Sequence, residues 1–285
     1  MALTISLLSI KGGVGKTSAA VNLAAQAAIG GLRTLVVDLD PQGGATYTLG
    51  VDERVDGGAR AIGSKDFALK RAIVSTPWLG IDVVPADFSL RHLDLDLAAR
   101  GKPKRRLGQI LRPLRARYDV VLIDCAPGIT LANESAIRAS DVALVPVVPS
   151  TLPTRAFEQL HAYVHANRRL EHLTTLGFFS MVDRRKRMHR DVVASVGGLE
   201  SAMLSTTIPS SVAIETMPMR RAPLLPTKRA IAPAAAYRDL WREVQTRVFP
   251  TSRSTRPGAG RDRDLVIDLT VEPEYPQNVT TARRR

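Results

Sequence analysis

Leu3-Thr4-Ile5-Ser6-Leu7-Leu8-Ser9-Ile10-Lys11-Gly12-Gly13-Val14-Gly15-Lys16-Thr17-Ser18 is the stretch whose reading decides the fold. Leu3 to Ile10 is a short, largely apolar run of strand length, and Thr17 to Gly30 reads as an alanine-rich helix closed by the Gly30-Gly31 pair. A glycine-rich turn ending in Gly-Lys-Thr between strand and helix is a phosphate cradle. Its glycines let backbone N–H groups approach phosphate oxygens, and the helix N-terminus adds positive potential. In such a turn Lys16 reaches the outer phosphates and the Thr17 hydroxyl is placed to ligate Mg²⁺.

The general phosphate-loop template, G-x-x-x-x-G-K-[ST], fails at its first position, where Ile10 stands. A second lysine, Lys11, lies near the start of the loop instead. The form K-G-G-V-G-K-[ST] strongly resembles the deviant Walker A motif of the ParA/MinD ATPases. The resemblance implies ATP and Mg²⁺ as cofactors, with Lys11, Gly12, Gly13, Val14, Gly15, Lys16, Thr17 and Ser18 around the nucleotide. It also implies that Lys11 acts across a dimer interface, on the nucleotide of a partner subunit.

Working outward, Arg33-Thr34-Leu35-Val36-Val37-Asp38 is too continuously apolar for a one-sided strand and reads as buried on both faces. It delivers Asp38-Leu39-Asp40-Pro41-Gln42-Gly43-Gly44-Ala45-Thr46 to the same sheet edge as the phosphate loop. Two carboxylates there are costly unless a cation or water receives them, or unless they cap a following helix. The segment resembles the family's D-x-D-P-Q-G-N-A-T switch, with Gly44 at the usual polar position. By that resemblance Asp40 orients the attacking water and Asp38 supports the Mg²⁺ shell. Tyr118-Asp119-Val120-Val121-Leu122-Ile123-Asp124 fits a Walker B strand whose carboxylate holds a Mg²⁺-bound water. Asp124-Cys125-Ala126-Pro127-Gly128 resembles the family's D-x-x-P-G, and Cys125 itself reads as a small buried hydrophobe.

Composition narrows the function classes. The chain has 285 residues, 45% of them hydrophobic and only 5% aromatic, enough for one sizeable aliphatic α/β core. Its formal charge of +13 favours polyanions, either nucleic acid or an anionic membrane surface. One cysteine, Cys125, excludes an intramolecular disulfide and a cysteine-rich metal site. The apolar N-terminal run meets Lys11 too early for a signal peptide, and no run approaches the ~18 apolar residues of a membrane span. The expectation is a soluble cytoplasmic protein.

Further along, a short helix is expected over Phe67–Val74, a strand over Ile81–Pro85 and helices over Leu90–Ala99 and Leu107–Arg117. The basic turn Gly101–Arg106 before the last of these reads as a solvated helix start. Strands over Val142–Val147, Leu173–Val182 and Ser205–Ile208 and an amphipathic helix over Arg155–Leu170 follow. In the helix opened by Pro233, Tyr237, Leu240, Trp241, Val244 and Val248 share one face, while Arg238 and Arg242 lie opposite. The densest basic cluster, Arg184, Arg185, Lys186, Arg187 and Arg190, lies in a surface loop entering a helix, and Arg220, Arg221, Lys228 and Arg229 form a second group. Both are candidate DNA contacts, because related partition ATPases carry DNA-binding basic residues in the first neighbourhood. Ile208-Pro209-Ser210-Ser211-Val212, with Pro218 and Pro223, resembles the family segment that wraps the adenine base, which implicates Pro209 and Ser211. Residues 251–285 read as a polar, basic tail lacking a packed core, with a short recognition segment around Leu265–Val271.

The resemblance spans residues 1–250 and implies an α/β P-loop fold, a doubly wound, mostly parallel sheet with helices on both faces. It implies a ParA-type ATPase: an ATP-dependent homodimer that binds nucleoid DNA without sequence preference and positions or segregates a cargo. A ParB-like or cargo-adaptor protein would stimulate hydrolysis and release. With nothing resembling a helix-turn-helix ahead of Leu3, no operator-specific repression is expected. A MinD-like membrane-recruited switch would need an amphipathic C-terminal helix, which the proline-bearing end of the chain does not resemble. An iron–sulfur carrier would need several cysteines, and a small-molecule ligase or kinase would ordinarily lack Lys11 together with this switch sequence.

Overall fold

The computed structural model describes residues 2–52, 54, 62, 69–99, 101–195, 202–225 and 232–249. Residues 1–250 form one compact unit. The expected tail over 251–285, with its recognition segment, lies outside the described residues, as do Gly57, Gly58, Phe67, Lys228 and Arg229.

Eight strands make one sheet: β1 (Leu3–Leu7), β2 (Thr34–Asp38), β3 (Val74–Ser75), β4 (Ile81–Val84), β5 (Val120–Asp124), β6 (Val142–Val147), β7 (Thr174–Val182) and β8 (Met203–Pro209). Their order across the sheet is β3-β4-β2-β5-β1-β6-β7-β8, and every pairing is parallel except β3 with β4. β3 was not foreseen, because two residues carry no periodicity. The aliphatic runs are buried on both faces, as their continuity predicts. Leu35, Val37, Val121 and Ile123 pack into one core, and the alternate residues Val36, Val120 and Leu122 into the other.

Helix α1 (Lys16–Ile29) and the long C-terminal helix (Ala232–Val248) cover one face. Tyr237, Leu240, Trp241 and Val244 are buried in it as their spacing requires. The other face takes the helices Leu93–Ala98, Arg106–Leu111, Leu131–Ala139 and Thr151–Ala166. Prolines account for two departures from the sequence expectations. The helix expected over 107–117 stops at Leu111 and continues as a 3₁₀ segment, Arg112–Ala116, around Pro113. The helix expected from Arg155 begins instead at Thr151, because Pro153 in a first turn lacks only an N–H that has no helical partner anyway.

Register places the site. Asp38 pairs with Asp124 and Asp124 with Leu7, so the ends of β2, β5 and β1 stand side by side. β1 lies between β5 and β6, where the strand order reverses direction, which is the crevice that ligands occupy in open α/β sheets.

Candidate functional site

The loop from Leu8 to Gly15 leaves β1 at that edge and is tied down by its neighbours. Gly128 N donates to Ser9 O at 3.0 Å, and Leu8 N to Leu144 O at 3.1 Å. Gly13 and Gly15 have φ of 71° and 96°, the left-handed region where a side chain is strained. A Cβ on Gly15 would also stand 2.8 Å from Ser180 Oγ on β7, so that close approach requires glycine. Val14 and Lys16 are buried, whereas Lys11, Gly12 and Gly13 are exposed. The two lysines therefore divide, Lys16 inside the loop and Lys11 at its rim.

Below the loop, Thr17 Oγ1 donates to Asp124 Oδ2 at 2.7 Å, while the buried Asp124 Oδ1 has no hydrogen-bond partner among the described residues. Asp38 is equally buried. Its Oδ2 accepts from Thr46 N at 2.8 Å and Thr46 Oγ1 at 2.7 Å, and its Oδ1 from Asp40 N at 3.2 Å. Burial first, and then the Asp38 charge, drive the Asp124 carboxyl well above the usual carboxylate range, against the pull of Thr17 and Lys16. Burial likewise raises Asp38 to about 6, against its Thr46 bonds. Two dry carboxylates and a hydroxyl grouped this tightly, with one oxygen unpaired, suit a hard divalent cation. Mg²⁺ fits that donor set.

Asp38 thus has both oxygens engaged by its own segment, whereas Asp40 is half-buried and accepts from Gln42 N at 3.0 Å. Cys125 is fully buried, and burial pushes its thiol well up, so it is an inert neighbour of Asp124.

The family model described as an AAA domain, AAA_31, matches residues 2–173. The chromosome partitioning protein ParA of Myxococcus xanthus is 31% identical over 257 residues, covering 88% of this chain and 91% of that protein. The chain belongs to the ParA/MinD superfamily. Solved structures repeat the fold of this ParA-family chain at lower identity. Cobyrinic acid a,c-diamide synthase from Mycobacterium smegmatis, with bound ATP analogue and magnesium, superposes with a TM-score of 0.73 at 24% identity, covering 90% of this chain and 98% of the other. The septum site-determining protein MinD of Pyrococcus horikoshii, complexed with Mg-ADP, gives 0.69 at 24% identity over 86% and 96%.

The ParA-family segment expected over the adenine runs from the end of β8. Pro209 is half-buried and pairs with Val182, and Ser211 Oγ accepts from Ala213 N at 3.2 Å as the cap of the short helix Val212–Glu215. Ser211 is therefore occupied in holding its own turn. Asn22, which the sequence reading missed, binds this segment to α1. Its Nδ2 donates to Ser18 O at 2.7 Å and meets Met217 S at 3.2 Å, while its Oδ1 accepts from Leu224 N at 2.8 Å. A polar residue on the buried face of an alanine-rich helix was the available signal.

β7 is parallel to β6, so the basic loop after Val182 emerges at the same sheet edge as the phosphate loop. Arg184, Arg185, Lys186, Arg187 and Arg190 are all exposed. Arg185 forms a two-pronged pair with Asp183, Nε to Oδ1 and Nη2 to Oδ2 both at 3.0 Å, and Arg187 lies 3.6 Å from Asp191. Arg190 Nη1 donates to the carbonyls of Arg184 at 2.7 Å and Arg185 at 3.3 Å, and the buried His189 Nδ1 accepts from Asp183 N at 3.1 Å. The loop is thus a structured cationic surface rather than a loose charge run.

The second basic group divides. Arg220 is exposed, but the Arg221 guanidinium, grouped with it in the sequence, is bound to Asp52 and the backbone of Tyr47. The Arg221 side chain is 32% exposed, so it presents less of its charge to solvent than the basic loop does.

Proposed function

We propose that the protein is a Mg²⁺-dependent ATPase of the ParA type whose ATP-bound subunits pair and hold DNA without sequence preference, so as to position or segregate a cargo. The single observation that supports it most is the grouping of the buried Lys16, Asp124 and Asp38 with the half-buried Thr17 beneath a glycine loop at the sheet's switch point.

In this reading the loop N–H groups and Lys16 hold the phosphates, and Thr17 and Asp124 hold the metal, with Asp38 fixing the switch behind them. Bound there, Mg²⁺ would supply positive charge against the phosphates. Asp40, on the half-buried turn after β2, orients the attacking water. Lys11, exposed at the rim, reaches the nucleotide of the second subunit. A ParB-like or cargo-adaptor protein completes the site and triggers release. Pairing brings two copies of Arg184, Arg185, Lys186, Arg187, Arg190 and Arg220 together, and nucleoid association in a bacterial cytoplasm follows from that surface. Among the described residues no helix is long and apolar enough to cross a membrane.

Retention on random-sequence duplex DNA, measured with ATP, with ADP and without nucleotide across a salt series, tests the reading. ATP-dependent retention is expected, with a log–log salt slope that falls by about one for each phosphate-contacting arginine removed. Arg184→Ala is the first variant to make, since among the described residues its side chain has no partner to release before meeting a phosphate. Equal retention in all three states would sink the DNA switch.

A further inference from the structure

The helix Gly44–Thr48, which follows Asp38 and Asp40, is suspended between two parts of the fold. At its start, a Cβ on Gly44 would stand 3.2 Å from Thr17 Cγ2, so the helix begins against the phosphate-loop threonine. In its middle, Thr46 holds Asp38 and also accepts from Ala86 N at 2.9 Å. At its end stands Arg221. The guanidinium Nε donates to the Tyr47 carbonyl at 3.3 Å, Nη1 and Nη2 donate to Asp52 Oδ2 and Oδ1 at 3.0 and 2.7 Å, and its carbon lies 4.6 Å from the centre of the Tyr47 ring.

A cation on one of the last carbonyls of a helix complements the negative end of the dipole, and here it adds to Gly50 N, which donates to the same Tyr47 carbonyl at 3.0 Å. The Arg221 backbone is itself committed to the contact. It closes the helix Met217–Arg220 with φ 49° and ψ 46°, a conformation rare for a residue with a long side chain. Four residues earlier Met217 is buried against Asn22, and three later Leu224 N is bonded to the same Asn22. The segment is therefore pinned to α1 on both sides of Arg221.

We propose that Arg221 is a positioning residue that couples the 211–225 segment to the switch helix, so that seating of the base sets Thr46 and, through it, Asp38 and the turn bearing Asp40. This rests on the nucleotide reading above. Asp52 is 74% exposed at its side chain, so the pair adds little to global stability, and its effect is on where the switch helix sits.

Three variants test the coupling: Arg221→Asn, which tolerates the left-handed backbone while removing the guanidinium, Asp52→Asn, and their combination. In nucleotide-free protein, amide hydrogen exchange over residues 44–52 should quicken about fivefold in Arg221→Asn, with exchange over 11–18 and the melting temperature close to wild type. With Mg-ATP, kcat should fall about fivefold while nucleotide affinity changes less than about twofold, and the double variant should be no worse than Arg221→Asn alone. Unchanged exchange over 44–52 overturns the clamp. Quickened exchange with unchanged kcat, or additive losses in the double variant, overturns the coupling. If wild-type protein shows no nucleotide protection over 11–18, the ATPase reading fails, and exchange over 44–52 in the free protein still decides whether Arg221 holds the switch.

Discussion

Lys16 and Asp40 carry separable parts of the proposed chemistry, and their burial says why. Lys16 is 6% exposed, and at so buried a position a cation facing phosphate is worth far more than in solution. Lys16→Ala should abolish nucleotide binding or lower turnover by at least about a hundredfold, read by nucleotide titration and phosphate release. Unchanged turnover would remove the whole reading. Asp40 is not bonded to the Thr17–Asp124 pair among the described residues, and its Oδ1 orders its own turn. Asp40→Ala should therefore leave ATP binding intact and stop hydrolysis, trapping the ATP-bound form; wild-type turnover would hand the water-orienting role to another group. Both residues were legible in the sequence because their motifs are local. Asn22, Ser180 and Thr46 were not, since each acts on a residue distant in sequence or through a turn whose shape the motif does not state.

Elements reveal how the edges of the sheet are held. β8 is an edge strand, and Glu243 of the C-terminal helix blunts it. Its Oε1 accepts from Ser205 N at 2.7 Å and Ser205 Oγ at 3.0 Å, and its Oε2 from Thr206 N at 2.9 Å. Burial raises this carboxyl, but the bonds from Ser205 and Thr206 outweigh it and hold the carboxyl below its ordinary 4.5. A carboxyl lowered on folding contributes stability above the unfolded value, and that contribution is lost as pH falls through the folded one. Glu243→Gln should therefore flatten the acid limb of the melting temperature below about pH 4.5 while leaving its value near pH 7 lowered. A parallel shift at all pH values would mean that the charge is immaterial there. The helix itself was readable from the spacing of Tyr237, Leu240, Trp241 and Val244. Its grip on β8 was not, because nothing local marks Glu243 off from any exposed helical acid.

The whole molecule sets the last prediction, because Lys11 is exposed at the rim of the loop and its proposed role is on a second subunit. Lys11→Ala should keep nucleotide binding within about threefold, since single exposed charges count for little, while abolishing ATP-dependent pairing and hydrolysis. Sedimentation with ATP checks it, and a normal dimer would refute the trans role. At this scale the division between sequence and structure is physical. The sequence by itself determined the parallel α/β class, the phosphate loop, the two acidic strand ends and the aliphatic core. The parallel class came with the family resemblance; each of the others is a statement about local periodicity, or about residue types that the chemistry needs at that spacing. Only the tertiary structure decided that Asp38 and Asp124 pair in register, that Arg185 is met by Asp183, and that Arg221 meets Asp52 and the Tyr47 carbonyl. A charge's use depends on which opposite charge the fold brings to it, and Asp52 and Arg221, 169 positions apart along the chain, carry no local signal of their meeting.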